Sequence, residues 1–347
     1  MRLNRIFLIA GVVFAVATIG ISAEADNEWL EEWVAQKPRA PMAGDFSAGG
    51  RYRNNQNAAS CRPEIKPAVP VTARTAHAGT DRKCTKAYSD LYSKKGISIS
   101  IFFGYDNDQA FVDDGRYQRA DLEQLLTRPP EVCARGVILP FACGFKRDPD
   151  DASSFVKPLI GPDRKAKRVR IRLISSSVIS GDLRNHVFAR EQADLSERVK
   201  QDFERSLRTE DVVFYSGHAR DGGGPDFFPP RLNSDQKVDY AWYRKHRPGL
   251  KEVLSALDAR SKLVFGLFAC DSNAHFRKSI KAVAPNVPLI LTNAAIPITS
   301  THNVMVASLN AVLGMKCRDA FLEDIQFSQP REKGAPVPVM LLDGFPP

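Results

Sequence analysis

The chain has 347 residues, 43% of them hydrophobic, and a formal net charge of +9. That length suits one large domain with embellishments or two small ones, and a basic surplus of this size favours anionic surfaces only weakly. The six cysteines include no Cys-x-x-Cys pair, which gives no support to a four-cysteine zinc site or a thioredoxin-like redox motif.

Arg2 and Arg5 precede an apolar run from Ile6 to Ile21, and Ala23-Glu24-Ala25 places small residues where a signal peptidase reads. Residues 1–25 are therefore expected to be a cleaved secretory signal. The run of 16 residues is short for a bilayer span of roughly 20. No cysteine follows it closely, so a lipoprotein is not expected, and no later segment is apolar enough to span a membrane. The expectation is a secreted or periplasmic protein without stable membrane insertion after signal cleavage. Removing the leader takes one net positive charge with it and leaves +8.

Residues 26–95 are rich in Pro, Ala, Arg and Asn with little periodicity, and read as an irregular N-terminal extension. From Gly96 the pattern changes. Ile97–Phe103, Val137–Phe141 and Val169–Ile174 are predicted strands, with a polar, helix-permissive stretch running to Leu126. Arg164–Arg172 is the densest basic run, and there Val169, Ile171 and the following Leu173 alternate with Arg168, Arg170 and Arg172, the period of a strand with one solvated face. A solvated edge strand explains these charges better than nucleic-acid binding, because no aromatic residue interleaves with them.

Leu195, Val199, Phe203 and Leu207 recur every four residues and predict one helical face. Strand Val212–Tyr215 follows, then a glycine loop, a Pro-rich excursion from Pro225 to Pro230, and a helix around Leu250, Val253, Leu254 and Leu257. Strand Leu263–Phe268, a helix from about Ser272, strand Val287–Leu291 and a helix near Val304–Leu313 complete the series. Alternating strands and helices predict an α/β fold with a mostly parallel sheet between helices, spanning residues 96–325, with 326–347 as a C-terminal tail.

His218 and Cys270 each close an apolar strand, with one helix expected between those strands. Consecutive strands joined by one crossover are often adjacent, with their carboxyl ends on the same edge. A histidine facing a cysteine there makes a nucleophile, because imidazole accepts the thiol proton and the thiolate attacks a carbonyl carbon. The Gly222-Gly223-Gly224 run is no phosphate loop, since no Gly-Lys-Ser/Thr follows, and is read as flexible access to the cleft. No Gly-x-Ser-x-Gly elbow occurs. A metal site from His218, Cys270 and His275 would straddle a strand-to-helix turn, and Asp221 with Asp226 are too few carboxylates for calcium, so no metal or cofactor is assigned.

The segments "FYSGHA" and "LFACDS" resemble the two signature stretches of the caspase-like cysteine peptidases, which include caspases, metacaspases, legumains, gingipains and separases. The likeness in layout covers about residues 97–300 and implies a caspase-like three-layer fold. It also implies a His218/Cys270 dyad and backbone N–H oxyanion donors at Ala219 and Cys270. The superfamily usually has glycine after the histidine, where this chain has Ala219; an alanine keeps the N–H and serves if the loop suits a Cβ.

The expected activity is an exported cysteine endopeptidase acting on a peptide or protein substrate through a thioester, with no nucleic-acid partner. The alternative is a caspase-fold protein without catalysis that binds a periplasmic or surface partner. Asp271, Thr292 and Asn293 are candidates for lining the substrate pocket. Asp271 also reads as a carboxylate at the start of the next helix, with Ser272 as a cap. Disulfides are expected, with Cys61/Cys84 and Cys133/Cys143 close enough in sequence to pair; Cys270 and Cys317 are expected to stay out of them.

Overall fold

The chain builds one eight-stranded sheet in a computed structural model, in the order β2-β3-β4-β1-β5-β6-β7-β8. The structure describes residues 88, 91–106, 114–129, 140–161, 163–179, 183–261, 263–295, 298–328 and 340–345. The expected signal and nearly all of the N-terminal extension lie outside these residues, as do Cys61, Cys84 and Cys133.

The strands are β1 (Gly96–Phe103), β2 (Lys146–Asp148), β3 (Asp151–Ile160), β4 (Ala166–Ser175), β5 (Val212–Ser216), β6 (Val264–Phe268), β7 (Leu289–Thr292) and β8 (Met340–Asp343). The central run β4-β1-β5-β6-β7 is parallel, while β2/β3, β3/β4 and β7/β8 pair antiparallel. The helices are α1 (Asp114–Leu126), α2 (Ala189–Thr209), α3 (Tyr240–His246), α4 (Pro248–Ala256), α5 (Ser272–Val283), α6 (Ile298–Leu313) and α7 (Arg318–Ser328). Among the described residues no helix is long and apolar enough to cross a membrane.

Alternation along β1 sorts the two faces. Ile97, Ile99, Ile101 and Phe103 join Leu122 of α1 and Val304 of α6 in one core. Phe102 points the other way, 5.2 Å from Phe203 of α2 between ring centroids, edge on. Phe203 in turn meets Phe227 at 5.1 Å and Phe265 of β6 at 6.2 Å. The central strands are buried on both sides, as parallel strands with helices on each face must be.

Four differences from the sequence reading have physical causes. β4 has the predicted alternation, but it is no edge strand: β1 and β3 flank it. Its arginines pair with acids from neighbouring elements, Arg168 with Asp148, Arg170 with Asp151 and Arg172 with Asp202. Of the strand expected at Val137–Phe141, the described part is a 3-10 turn, Pro140–Ala142, and residues 137–139 lie outside the described set. Two short helices, α3 and α4, separate β5 from β6 in place of one, because Arg247 takes φ 50 and breaks the rod before Pro248. The stretch read as a tail supplies β8, whose Met340 and Leu342 are buried against β7.

Candidate functional site

β5 is a continuous buried run, Val-Val-Phe-Tyr-Ser, and it stops where space runs out. Ser216 donates to Gln118 Oε1 of α1 at 2.7 Å, and Gly217 N–H donates to the Phe268 carbonyl at 3.2 Å. A Cβ at Gly217 would lie 2.7 Å from the Tyr215 hydroxyl and 3.1 Å from Gly104 Cα, so only glycine fits between these two strand ends. Ser216 and Phe268 are register partners on adjacent parallel strands. His218 and Cys270 each follow that pair by two residues, so both leave the same sheet edge on neighbouring strands, about 4.8 Å apart in the ladder. Cys270 is an exposed thiol.

The end of β1 adds a third group. Gly104 N–H bonds to the Ser216 carbonyl at 2.8 Å and Tyr105 N–H to the Asp226 carbonyl at 3.1 Å, which carries the chain across to Asp106. The Asp106 side chain is 1% exposed and places Oδ1 3.0 Å from His218 Nε2, while the imidazole is 36% exposed. The chain leaves β1 toward β4 on one side and returns as β5 on the other. Asp106 and His218 thus straddle the switch point where open α/β sheets bind ligands. Sequence reasoning missed Asp106. The available signal was an acid just past a predicted strand, on the edge where His218 and Cys270 were already expected.

Past His218 the backbone is unusual. Ala219 has φ −78 and ψ −15, an ordinary right-handed conformation that accepts a Cβ. Arg220 (φ 44), Asp221 (φ 53) and Gly222 (φ 87) are all left-handed, which costs a non-glycine residue about 1–2 kcal/mol. Compensation comes from below the loop. The Arg220 guanidinium, 1% exposed, donates from Nε to Asp226 Oδ2 at 2.9 Å. Asp226 also accepts from the Tyr243 hydroxyl at 3.2 Å and from Phe228 N–H at 3.2 Å. Gly222 and Gly224 N–H groups both donate to the Ala219 carbonyl at 2.9 Å.

The glycine run is therefore packed, which corrects its reading as a flexible entrance. Residues 222–230 are all buried. A Cβ at Gly223 would meet Tyr243 at 2.6 Å, and one at Gly224 would meet the His218 carbonyl at 2.6 Å. Asp221 pairs with Arg244 at 2.6 Å and approaches His275 Nε2 at 3.9 Å. Both acids weighed for calcium are thus neutralised by arginine, and among the described residues no group of three or more His, Cys, Asp or Glu is arranged to hold a metal ion.

On the Cys270 side, Thr292 is fully buried at the end of β7, and its hydroxyl donates to the Ala269 carbonyl. Ser272 N–H donates to Thr292 Oγ1 at 3.1 Å, Thr292 N–H donates to Ser272 Oγ at 2.8 Å, and Ser272 Oγ donates to the Leu267 carbonyl at 2.7 Å. This cluster braces the chain around Cys270, so Thr292 does not line open surface as expected, and Ser272 ties β6 to β7 in place of capping a helix. Asp271 holds the cap position of α5 with φ 50, but its side chain makes no capping bond. Its N–H donates to the Ala294 carbonyl at 3.1 Å. Asn293 is exposed and accepts from Asn273 Nδ2 at 2.9 Å.

Cys143 and Cys317 are disulfide-bonded. For Cys317, which sits at the turn between α6 and α7, this overturns the expectation that it stays out of disulfides.

What the edge can do follows from its chemistry. A thiol, an imidazole and a buried carboxylate come from the ends of three strands that are neighbours in the sheet, in the order carboxylate, imidazole, thiol. No protein-family model matches the chain, and no curated protein matches it, so a functional reading rests on these residues themselves.

Proposed function

We propose that the protein is an exported cysteine endopeptidase of caspase-like fold, with Cys270 as nucleophile, His218 as acid and base, and Asp106 as the group that orients His218. The observation that carries this reading is the common edge. His218 and Cys270 follow a paired register on adjacent parallel strands, with Asp106 3.0 Å behind the imidazole. A nucleophile, its base and an orienting carboxylate are the parts of a thiol hydrolase.

In the proposed reaction the Cys270 proton passes to His218, and with Nε2 facing Asp106 at 3.0 Å the exchange is assigned to Nδ1. Sγ adds to the scissile carbonyl carbon, and the carbonyl π electrons move to oxygen, where the N–H groups of Ala219 and Cys270 are the candidate donors. Collapse breaks the C–N bond, and the amine leaves with the His218 proton. Water then attacks the thioester, His218 takes its proton, and Cys270 departs as thiolate from a new carboxylic acid. Disulfides at Cys143 and Cys317 support an oxidising compartment. The ordinary φ of Ala219 removes the steric ground for reading the chain as an inactive binding protein.

Iodoacetamide labelling tests this directly. Cys270 is expected to react near neutral pH faster than a free thiol, with peptide hydrolysis vanishing in Cys270→Ala. Labelling no faster than a free thiol, or hydrolysis that survives the substitution, overturns the reading.

A further inference from the structure

We infer that Tyr215 is a positioning residue that aims the Ala219 N–H, through the His218 carbonyl, at the reacting oxygen. The inference rests on the proposed peptidase reading. The Tyr215 hydroxyl donates to the His218 carbonyl at 3.0 Å and accepts from Asp226 N–H at 3.0 Å. Tyr215 is 1% exposed, on the face of β5 that packs against Phe203 and Phe227. Its bond therefore pulls the carbonyl inward. The His218–Ala219 peptide is planar and trans, so its N–H points opposite to its C=O. A carbonyl held down onto Tyr215 directs the Ala219 N–H away from the core, toward the edge where Cys270 sits.

The surroundings leave this peptide little freedom. Gly104 and Gly217 have no room for a Cβ beside the hydroxyl, at 2.5 and 2.7 Å, and a Cβ at Gly224 would press on the His218 carbonyl at 2.6 Å. The acceptor bond to the hydroxyl comes from Asp226, which the Arg220 ion pair and the Tyr243 hydroxyl hold in place. Burial, with the Asp226 carboxylate near by, pushes the Tyr215 hydroxyl well above the ordinary tyrosine range, so it keeps its proton to donate.

The test separates the thiol from the oxyanion donor. Iodoacetamide alkylation of Cys270 reads the His218/Cys270 pair, since no oxyanion forms. Binding of acetyl-dipeptide aldehydes, with Asp, Asn, Lys or Leu at the aldehyde residue, reads the donor. Here Sγ adds to the aldehyde carbon, and the resulting oxyanion takes a proton to give a hemithioacetal.

Tyr215→Phe keeps the ring and removes only the hydroxyl. Its alkylation rate and pH profile are expected to match wild type, while aldehyde affinity and kcat fall about 10- to 100-fold with KM little changed. Arg220→Met combined with Asp226→Asn loosens the same peptide from the Asp226 side and is expected to show the same split. Wild-type aldehyde affinity in a folded Tyr215→Phe, or alkylation and aldehyde binding lost in step, overturns the assignment. Failure of wild-type Cys270 to label faster than a free thiol instead overturns the peptidase reading itself.

Discussion

Asp106 Oδ1 stands 3.0 Å from His218 Nε2, and the two residues arrive from adjacent parallel strands through backbone that crosses at the Ser216 and Asp226 carbonyls. The imidazole therefore has behind it a carboxylate that solvent does not reach. Asp106→Asn should leave the fold intact, because the side chain keeps its volume and an oxygen acceptor, yet lower kcat by about 10²- to 10⁴-fold, as expected when the orienting charge of a triad is lost. The check is the pH profile of Cys270 alkylation alongside kcat. An unchanged profile with unchanged kcat would make Asp106 a packing residue.

Cys270→Ala should keep the fold, since it removes only an exposed sulfur beyond the end of β6, and should abolish hydrolysis. His218→Ala should do the same, and the double variant should be no worse than either single one, because the two residues act as a unit. Thermal melting compared across the three variants, together with peptide hydrolysis, tests this. Additive losses would place the residues in separate roles.

For Ala219→Gly the expected change in rate is small, within about twofold. Ala219 already occupies a right-handed conformation, so removing its Cβ relieves no strain and adds only backbone freedom to the unfolded chain. A tenfold gain in kcat would show that the methyl group restrains the oxyanion donor.

Glu252 predicts a pH-dependent stability. Burial pushes its carboxyl up to about 8, although Lys200 lies 3.5 Å away and opposes the shift. An acid whose folded pKa lies above its unfolded value of about 4.3 stabilises the fold while protonated. That contribution is complete below about pH 4.3 and is lost as pH rises toward 8. Glu252→Gln should therefore match wild type near pH 5 and melt about 3 °C higher at pH 8.5. Melting curves at the two pH values decide it, and a difference independent of pH would mean that Glu252 titrates as an exposed glutamate does.

Gly223→Ala should destabilise the fold by about 1–3 kcal/mol, because its Cβ would stand 2.6 Å from the Tyr243 side chain and must displace it. Denaturant titration measures this. Wild-type stability would restore the picture of a loop with room to move.

The parts of this fold that were legible in sequence are those with a local apolar signal. β5 and β6 are unbroken buried runs, β1 sets its isoleucines at alternate positions, and α2 repeats its Val199, Phe203 and Leu207 on one face. β3 was not legible because its run, Asp-Ala-Ser-Ser-Phe-Val-Lys-Pro-Leu-Ile, buries only Ser154, Phe155 and Leu159 and carries a proline. β8 has four residues and no partner nearer in sequence than β7. At the site, His218 and Cys270 announce themselves by ending strands, whereas Asp106 becomes meaningful only once β1 is known to lie beside β5. The glycine run misled because spacing does not reveal what fills the space; Tyr243 and the His218 carbonyl do.

The antiparallel strand β8 has a consequence for how the protein is made. Residues 340–343 cover the β7 flank of the sheet, and Asp343 is clamped there by Arg277 at 2.6 Å and Lys281 at 3.5 Å. A chain synthesised N-terminus first has its Asp106, His218 and Cys270 segments made well before this strand arrives. Until then β7 presents a row of unpaired backbone groups, an invitation to a neighbouring chain. Assembly of the edge that brings Asp106, His218 and Cys270 together and covering of the β7 flank are thus separated in time, and in the interval between them that flank is open to pairing.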